Sequence, residues 1–399
     1  MNAIAPADAN AIARAGRIVG FRSWLVYLPY NIAMTWGSGT RTGGTRLVVE
    51  LTTESGIKGY GETICLLDFI EPVLHKVVMP LAVGRSVSEV ERIHRHVLGA
   101  GYYHHKRAAV MALCAVEMAM WDALGKLAGL PVSALWGGQW REQVEVSAYL
   151  FMADHGALAE TARTFRSQGY DSFKIKLGAG EASDVALVET VRGAIGAGVH
   201  LRADVNGGWT PGTARRQLQK LLPYDLAYIE QPLELDDLVG HAELRRVQPV
   251  PVALDESAYT LSDVGNIVRM AAADVILLDP HEMGGLWQVR KAAAIPESAG
   301  LGMTLHSGGE LGFSQAALVH LAASIPTMTI AIDTEYYYYD DDVIAGRLAI
   351  ERGRIAVPRG PGLGVAPDFD KLEKYRVDAI RGAYLDDKRP GWFPMKPSY

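Results

Sequence analysis

Three carboxylates follow three successive apolar segments of the chain, one repeat apart. Asp204, Glu230 and Asp255 each end such a segment, at intervals of 26 and 25 residues. If the segments are strands of one parallel sheet, the three side chains converge at its carboxyl edge. Converging carboxylates repel one another unless a cation neutralises them, and oxygen ligands favour Mg²⁺ before Mn²⁺. The spacing therefore predicts a divalent metal site, although a single carboxylate is more often a helix cap or a surface charge.

Two lysines stand in the segment that precedes these three. Lys174 and Lys176 are two residues apart, so on a strand they point to the same face. Crowding two ammonium groups in a semi-buried site is expected to lower the pKa of one of them, which could then act as a general base. The alternative is an exposed edge strand with two solvated lysines, because lysine is rarely buried.

The next segments end in an acid and an imidazole. Asp279 and His306 would lie on adjacent strands, where the carboxylate could fix the tautomer of the imidazole and raise its basicity. Asp333 and Glu335 share a face of the segment after that, and we expect both to contact the substrate as an electrostatic or hydrogen-bonding partner. Each of these residues alone would usually be structural, but their position at successive segment ends favours a site.

Together these groups describe a divalent cation with Lys176 on one side and His306 on the other. Such an arrangement suits removal of a proton α to a carboxylate, because the metal holds the carboxylate oxygens and stabilises the enediolate that develops. The two bases could then act on opposite faces of the substrate.

Eight apolar segments alternate with helix-like segments from about residue 143 onward, at a spacing of about 25 residues. This pattern predicts a (β/α)₈ barrel, and the polar segment ends favour it over a doubly wound sheet because a barrel carries its active site on that rim. The segments are VEVSAYLFM (144–152), SFKIKLG (172–178), HLRADVNG (200–207), AYIEQPL (227–233), VPVALDES (250–257), DVILLDPH (274–281), GMTLHSGG (302–309) and TIAIDTE (329–335).

The sequence before the barrel predicts an α+β domain that caps it. Residues 16–64 read as strands and residues 85–137 as helices. The Gly/Thr/Ser-rich stretch 31–44 is typical of a mobile lid, and its Thr40 and Arg41 could reach the substrate, Arg41 by holding a carboxylate bidentately. A solvated loop is the alternative.

We expect three parts in the chain. These are a cap over residues 1–140, a barrel over 141–358 and a segment over 359–399 that returns to the cap.

Composition bounds the function class. The chain has 399 residues, 49% hydrophobic and 21% charged, which is typical of a globular enzyme and excludes a disordered or coiled-coil protein. A net charge of −6 without a basic block argues against nucleic-acid binding, and no long uncharged apolar stretch predicts a membrane span. Two cysteines and an N-terminus without a hydrophobic leader region favour the cytoplasm.

These residues resemble the enolase superfamily, in the branch that holds mandelate racemase and glucarate dehydratase. The resemblance implies that Lys176 is a base tuned by Lys174, that Asp204, Glu230 and Asp255 bind Mg²⁺, and that His306 and Asp279 form a dyad. The Asp at 279 differs from the Lys of muconate-cycloisomerase-like members. Asn206 is similar to an Asn beside the first metal ligand, and Tyr149 to a Tyr that contacts substrate in glucarate dehydratase.

Departures from the glucarate dehydratase pattern bear on the substrate. Gly308 replaces an Asn two residues after the dyad His, Thr40 replaces a His, and Asp255 replaces an Asn ligand. The resemblance therefore implies an acid sugar or a related polyhydroxy carboxylate rather than glucarate itself.

The reaction expected is Mg²⁺-dependent dehydration of the acid sugar to a 2-keto-3-deoxy acid. Racemisation or epimerisation at C2 is one alternative, and a non-catalytic sugar-acid binder is another. The family and the run YYYYDDD (336–342), which is typical of a subunit contact, favour a homo-oligomer.

Overall fold

The computed structural model describes residues 13–37, 39–99, 102–381 and 399. Two parts of the chain lie outside the described residues. They are residues 1–12, at the N-terminus, and residues 382–398, in the segment predicted to return to the cap.

The cap begins with an antiparallel sheet in the order β1 (Ile18–Trp36), β2 (Gly39–Thr53) and β3 (Lys58–Ile64). The stretch predicted to be a mobile lid lies mostly within β1 and β2, which pair to the end of the hairpin, Thr35 opposite Thr40. The prediction of a loop is therefore wrong here. The hairpin is held at its tip by the barrel: a methyl group on Gly37 would lie 3.0 Å from the Gly178 Cα, so the two backbones touch.

Helices follow the cap sheet. They are α1 (Ile70–Val73), a π-helical turn (Leu74–Val78), α2 (Met79–Ala82), α3 (Val90–Gly99), α4 (Tyr102–Ala128) and α5 (Val132–Leu135). The long helix α4 packs on β3 closely enough that a methyl group on Gly61 would lie 2.0 Å from the Ala115 carbonyl oxygen.

Helix α4 is the one helix in the described part of the chain that is long and apolar enough to cross a membrane by length and composition. Its segment Lys106–Ala128 is 89% buried inside the protein over the most apolar window. It also carries the buried charges Glu117 and Asp122. Helix α4 is therefore the central buried helix of the cap.

The second domain is built on a seven-stranded parallel sheet whose strands follow one another in chain order. They are β5 (Ala148–Leu150), β6 (Ser172–Lys176), β7 (His200–Asp204), β8 (Leu226–Glu230), β9 (Val252–Leu254), β10 (Val275–Leu278) and β11 (Gly302–Leu305). The helices between and after them are α6 (His155–Ser167), α7 (Glu181–Ile195), α8 (Pro211–Leu221) with a 3₁₀ turn (Leu222–Tyr224), α9 (Leu238–Val247), α10 (Leu261–Arg269), α11 (Pro280–Met283), α12 (Leu286–Ser298) and α13 (Gly312–Ser324).

The eighth predicted strand is shorter than the sequence pattern indicated. In the described residues it forms a single parallel bridge, Val146 to Ile332, instead of a ladder. The Ile332 N–H donates to the Glu145 carbonyl at 2.9 Å, and the Asp333 N–H donates to the Leu305 carbonyl at 3.0 Å. The segment thus joins the two edges of the curled sheet, and the fold is an α/β barrel of the TIM type with a cap.

The first predicted strand divides because its two halves have different partners. Its beginning, β4 (Gln143–Glu145), pairs with β13 (Arg354–Ala356), which pairs in turn with β12 (Ile350–Glu351). Its end is β5 of the barrel sheet.

The chain then returns to the cap. A 3₁₀ turn (Tyr336–Tyr338) follows the bridge, and a helix α14 (Phe369–Lys374) precedes two backbone hydrogen bonds to β1, from Tyr27 N–H to the Tyr375 carbonyl and from Val377 N–H to the Leu25 carbonyl. These bonds join residues 375–377 to β1, and the division of the chain into three parts, with boundaries near residues 140 and 358, remains our proposal.

Candidate active site

A cavity of about 440 Å³ lies at the carboxyl ends of the barrel strands, between the barrel and the cap. Seven of the residues singled out in the sequence line it: Arg41, Tyr149, Lys176, Asn206, Asp255, His306 and Glu335. Five others lie outside that lining and in contact with the cluster: Lys174, Asp204, Glu230, Asp279 and Asp333. Thr40 is placed elsewhere, with its hydroxyl 2.9 Å from the Thr35 hydroxyl across the hairpin.

Lys176 is the lysine that faces the cavity. Its Nζ donates to Asp204 Oδ2 at 2.6 Å and to Asn206 Oδ1 at 3.0 Å. Asn206 has a left-handed backbone, φ 48°, and its N–H donates to Asp204 Oδ1 at 2.9 Å. Burial raises the pKa of Asp204, but the charges of Lys176 and Lys174 outweigh burial and hold that pKa below its usual range.

Lys174 lies deeper, fully buried behind Lys176. Its Nζ donates to Glu230 at 2.5 Å and to Asp333 at 2.7 Å, and lies 3.2 Å from Asp204. Burial lowers the pKa of Lys174, but Asp333 and Glu230 outweigh it and raise the pKa well above its ordinary value. Lys174 is therefore not the lysine whose pKa is lowered, because three carboxylates surround its ammonium group.

Asp333 holds Lys174 in place. It accepts from Lys174, lies 3.1 Å from Arg202 Nη2, and accepts from the Ser147 hydroxyl at 3.1 Å. Every one of these contacts is buried. Asp333 is therefore placed to position the lysine, and it does not reach the cavity where we expected it to contact substrate.

Several carboxylate oxygens in this cluster are buried without a hydrogen-bond donor. They are Glu230 Oε2, Asp255 Oδ1 and Glu256 Oε2, none of which has a partner among the described residues. Burial, reinforced by Asp204, raises the pKa of Glu230 to about 8. Unsatisfied buried acceptors cost free energy. A set of carboxylate oxygens that lacks donors fits a hard divalent cation.

His306 and Asp279 form the pair that the strand ends predicted. The His306 Nδ1 lies 2.8 Å from Asp279 Oδ2, and the Nε2 lies 3.6 Å from Asp255 Oδ2. Asp279 caps α11 and accepts from the His281 N–H at 2.6 Å, which fixes its carboxylate. Burial lowers the pKa of His306, but Asp255 and Asp279 outweigh it and raise the pKa well above the usual value. The Nε2 atom of His306 therefore faces Asp255 and the carboxylates beside it.

Comparison with known families decides what kind of barrel this is. The family described as "Enolase C-terminal domain-like" matches residues 157–371, and the family "Mandelate racemase / muconate lactonizing enzyme, N-terminal domain" matches residues 20–137. The chain belongs to the enolase superfamily. Within it, the chain falls in the branch of mandelate racemase and muconate lactonizing enzyme, as the residues at the strand ends implied.

Relatives of this superfamily member catalyse different reactions. A "Probable glucarate dehydratase" from Streptomyces coelicolor is 33% identical over 86% of this chain and 86% of its own length. "Muconate cycloisomerase 1" from Rhodococcus opacus is 30% identical over 90% of this chain and 98% of its own. An "N-succinyl-L-Arg/Lys racemase" from Bacillus cereus is 28% identical over 92% and 100%. Superfamily membership therefore leaves the specific reaction open.

Solved structures confirm the fold. A crystal structure of an enolase from Streptomyces coelicolor has a TM-score of 0.84 at 34% identity, over 90% of this chain and 96% of that one. An enolase from Mycobacterium smegmatis, complexed with tartrate, has a TM-score of 0.83 at 31% identity, over 90% and 91%. One from Thermobispora bispora, complexed with magnesium and formate, has a TM-score of 0.83 at 30% identity, over 90% and 92%.

A buried polar network behind the His306–Asp279 pair was not anticipated from the sequence of this enolase-superfamily member. Arg46 of β2 donates to Glu62 of β3 at 2.7 Å, to the Gly308 carbonyl at 3.2 Å and to His281 Nε2 at 3.1 Å. Glu62 also accepts from the Leu311 N–H at 2.8 Å. The network ties the cap to the loop that follows His306. The sequence signal for this network was Arg46, a charged residue within the otherwise largely apolar run TRLVVEL (45–51).

His281 gives this network a pH dependence that we expect to measure. Its Nε2 accepts from Arg46, and its ring is also 2.8 Å from the Ser314 hydroxyl, so the buried imidazole is neutral. Burial lowers the pKa of His281 to about 3. Below a pH of about 6.5 the unfolded chain takes up a proton that the folded chain does not, so stability falls as the pH falls from there toward 3, by about 1.4 kcal/mol per unit.

The measurement is urea unfolding of the wild type and of His281→Gln at pH 7, 6 and 5. The wild type should lose stability more steeply than His281→Gln by the equivalent of about one proton. The exposed His155→Gln serves as the control and should keep the wild-type slope. Equal slopes in wild type and His281→Gln would show that His281 is not buried as a neutral base.

Two further acids line the cavity and were missed. Glu282 follows Asp279 by three residues, and one ligand atom each from Asp279, Glu282 and His306 all lie within 4.8 Å of one another. Burial raises the pKa of Glu282 to about 8, with Asp279 adding to the shift. Glu256 accepts from the Asn206 side chain at 2.8 Å. Each follows a predicted site residue closely in sequence, which was the available signal.

Three of the four consecutive tyrosines are buried within the chain and the fourth, Tyr337, is partly buried, which corrects the interpretation of the run as a subunit contact. Tyr336, Tyr338 and Tyr339 are buried. The Tyr338 hydroxyl donates to the Tyr149 carbonyl at 2.6 Å, and the Tyr149 ring centre lies 4.9 Å from Lys174 Nζ and 5.2 Å from Lys176 Nζ. The run therefore fixes the strand that carries Tyr149 beside the two lysines.

Proposed function

We propose that this enzyme removes the proton α to the carboxylate of an acid sugar and eliminates the 3-hydroxyl as water, giving a 2-keto-3-deoxy acid. The observation that carries the proposal is the presence in one cavity of Lys176 and the His306–Asp279 pair, with the unsatisfied carboxylates beside them. The proposed enzyme is thus a hydro-lyase.

Asp204, Glu230 and Asp255 are the residues that would hold Mg²⁺, or Mn²⁺ in its place. When bound, the cation supplies Lewis-acid stabilisation of the negative charge that develops on the substrate carboxylate. A "Crystal structure of enolase" from Thermobispora bispora complexed with magnesium and formate supports this choice of ion.

Lys176 or His306 removes the C2 proton, depending on the configuration at C2. Lys174 and Asn206 position Lys176 and the first carboxylate, and Asp279 orients the imidazole of His306. The other base, most naturally His306 in its protonated form, donates a proton to the departing hydroxide. Substrate is held by further cavity residues, for which we propose Tyr149, Asn206, Arg41 and Glu335. Contact of Thr40 with the substrate stays a prediction from the composition of stretch 31–44.

Relatives support both a dehydratase and its main alternative. The similarity to a "Probable glucarate dehydratase" and the tartrate complex of the Mycobacterium smegmatis enolase favour a hydroxy acid as substrate. Racemisation or epimerisation at C2 is the second candidate, because Lys176 and His306 provide two bases in one cavity. A cytoplasmic homo-oligomer acting on a small-molecule acid, with neither a nucleic-acid nor a membrane partner, completes the proposal.

The metal site gives a direct prediction. Glu230→Gln should weaken Mg²⁺ binding at least about tenfold, because it removes a buried ligand charge. Isothermal titration with Mg²⁺ measures this, and chelation should remove the C2 exchange activity of the wild type. Glu243→Gln, on the exposed face of α9, is the matched control. Unchanged affinity in Glu230→Gln would place the cation elsewhere.

A further inference from the structure

The wall of the cavity that faces His306 from the cap is apolar. Ile64, the last residue of β3, approaches Gly308 so closely that a methyl group on Gly308 would lie 3.2 Å from the Ile64 Cδ1. Gly308 is two residues after His306 and also lines the cavity. An aliphatic side chain therefore occupies the space beside the imidazole that a polar side chain at 308 would need.

The apolar character continues over most of the cap side, with Arg41 as a charged exception. We call this surface the apolar roof: it consists of Met34, Ile64, Leu66, Leu67, Ile70 and Met111. Four of its six members come from the short segment 64–70, and the others come from β1 and α4. A substrate group beneath this roof gains from leaving water if it is a methyl or methylene group, and loses if it is charged.

The barrel side of the cavity is acidic. Glu256, Glu282 and Glu335 line it in addition to Asp255. Besides His306, two basic side chains, Lys176 and Arg41, are among the described lining residues.

Neither of these basic side chains belongs to the apolar roof. Lys176 Nζ donates to Asp204 and Asn206, and the Arg41 guanidinium lies over the Trp36 ring, 4.9 Å from its centre. A second substrate carboxylate beneath the roof would therefore lie between apolar side chains and carboxyl groups, and it would lose hydration without gaining a cationic partner from the roof.

We infer that the substrate is a hydroxy monocarboxylate whose far end is apolar, a 6-deoxyaldonate in the acid-sugar series, and that Ile64 selects for that end. The inference rests on the proposed function for the acid end of the substrate. The cavity volume of about 440 Å³ suits a six-carbon acid. An aldaric acid, with a carboxylate at both ends, is the substrate that this cavity disfavours.

To test this inference, binding of the acids and exchange of their C2 proton are measured separately. The probes are an aldonate, its 6-deoxy analogue and the corresponding aldarate in the galacto, gluco and manno configurations. Affinity is measured by isothermal titration with Mg²⁺ and the Lys176→Met/His306→Asn double variant, which lacks both proposed bases and should not consume the probe. Exchange of the C2 proton is measured with the wild type in D₂O.

For the best-bound configuration we expect the 6-deoxyaldonate to bind at least about tenfold more tightly than the aldarate, because the aldarate buries a carboxylate beneath apolar groups. Equal or tighter binding of the aldarate, or no binding by any probe, overturns the inference. If the binding order holds and the wild type exchanges none of the acids, the inference stands and the proposed function fails. If the aldarate alone is exchanged, the function stands and the inference is overturned.

Ile64→Asn tests the selecting residue. We expect the wild type to bind the 6-deoxyaldonate more tightly than the aldonate. Ile64→Asn should bring these two affinities within about twofold of each other, because the methyl group loses its apolar neighbour. Ile57→Asn is the matched control: Ile57 is a partly buried isoleucine in the turn before β3, outside the cavity lining, and this variant should keep the wild-type preference. An unchanged preference in Ile64→Asn, or an equal loss in Ile57→Asn, counts against the assignment.

Discussion

Replacing Lys176 by Met, or His306 by Asn, is expected to remove at least about a hundredfold of the turnover of this enolase-superfamily enzyme while Mg²⁺ still binds. General acid and base groups typically contribute 10²–10⁴ in rate. Lys176 and His306 are not among the residues that we propose as metal ligands, so binding of the cation should persist in both variants. Turnover is measured as formation of the 3-deoxy product, and metal binding by titration.

The two variants also separate the roles of the bases. In a dehydratase, the variant that lacks the base stops both C2 proton exchange and water loss, whereas the variant that lacks the acid keeps exchange and loses elimination. In an epimerase, either variant stops inversion at C2. Lys220→Met and His75→Asn, both at exposed positions, are the controls and should behave as wild type. Unchanged turnover in His306→Asn would contradict the pairing of His306 with Asp279 as catalytic machinery.

Arg46→Met is expected to cost about 3–5 kcal/mol of folding stability, the range seen when one partner of a buried ion pair is removed. The Arg46–Glu62 pair has 0% exposure on both side chains and a 2.7 Å contact. Without the guanidinium, Glu62 stays buried with backbone donors only. The loop after His306 also loses its contact to the cap through the Gly308 carbonyl. Urea unfolding measures the stability, and the turnover number should fall together with it.

A double-mutant cycle identifies the cause. Arg46→Met/Glu62→Gln should recover a part of the lost stability, because no unpaired charge remains. Arg17→Met removes a pair with Glu54 in the same domain, but both of these side chains are about half exposed, so the loss should be below about 1 kcal/mol. If Arg46→Met costs no more than Arg17→Met, the network does not hold the cap to the barrel.

The relative positions of the residues at strand ends could be predicted from the sequence, because the spacing of the βα repeat sets them. Asp204 and Glu230 are one βα unit apart and pair in register across β7 and β8, so a count along the chain was enough to bring them together. Lys174 and Lys176 share a face for the same reason, since side chains alternate along a strand. The contact of His306 with Asp279 follows from adjacent strands in the same way.

The features that the sequence did not predict depend on contacts between distant parts of the chain. The lysine pair was expected to depress a pKa, and only the structure shows Asp333 and Glu230 around Lys174. The stretch 31–44 has the composition of a loop, yet it pairs as a hairpin whose tip lies against the barrel. The apolar roof likewise comes from three separate stretches of the cap sequence, around residues 34, 64–70 and 111, which no local pattern relates to the site.

The most direct test of proton removal α to a carboxylate is a proton NMR spectrum in D₂O with purified protein, Mg²⁺ and a panel of acid sugars. Loss of the C2 signal with appearance of a 3-deoxy methylene signal is the result we expect. Loss of the C2 signal alone would confirm the bases and favour an epimerase. Retention of the C2 proton in every acid tried would contradict catalysis at this site and favour a binding protein.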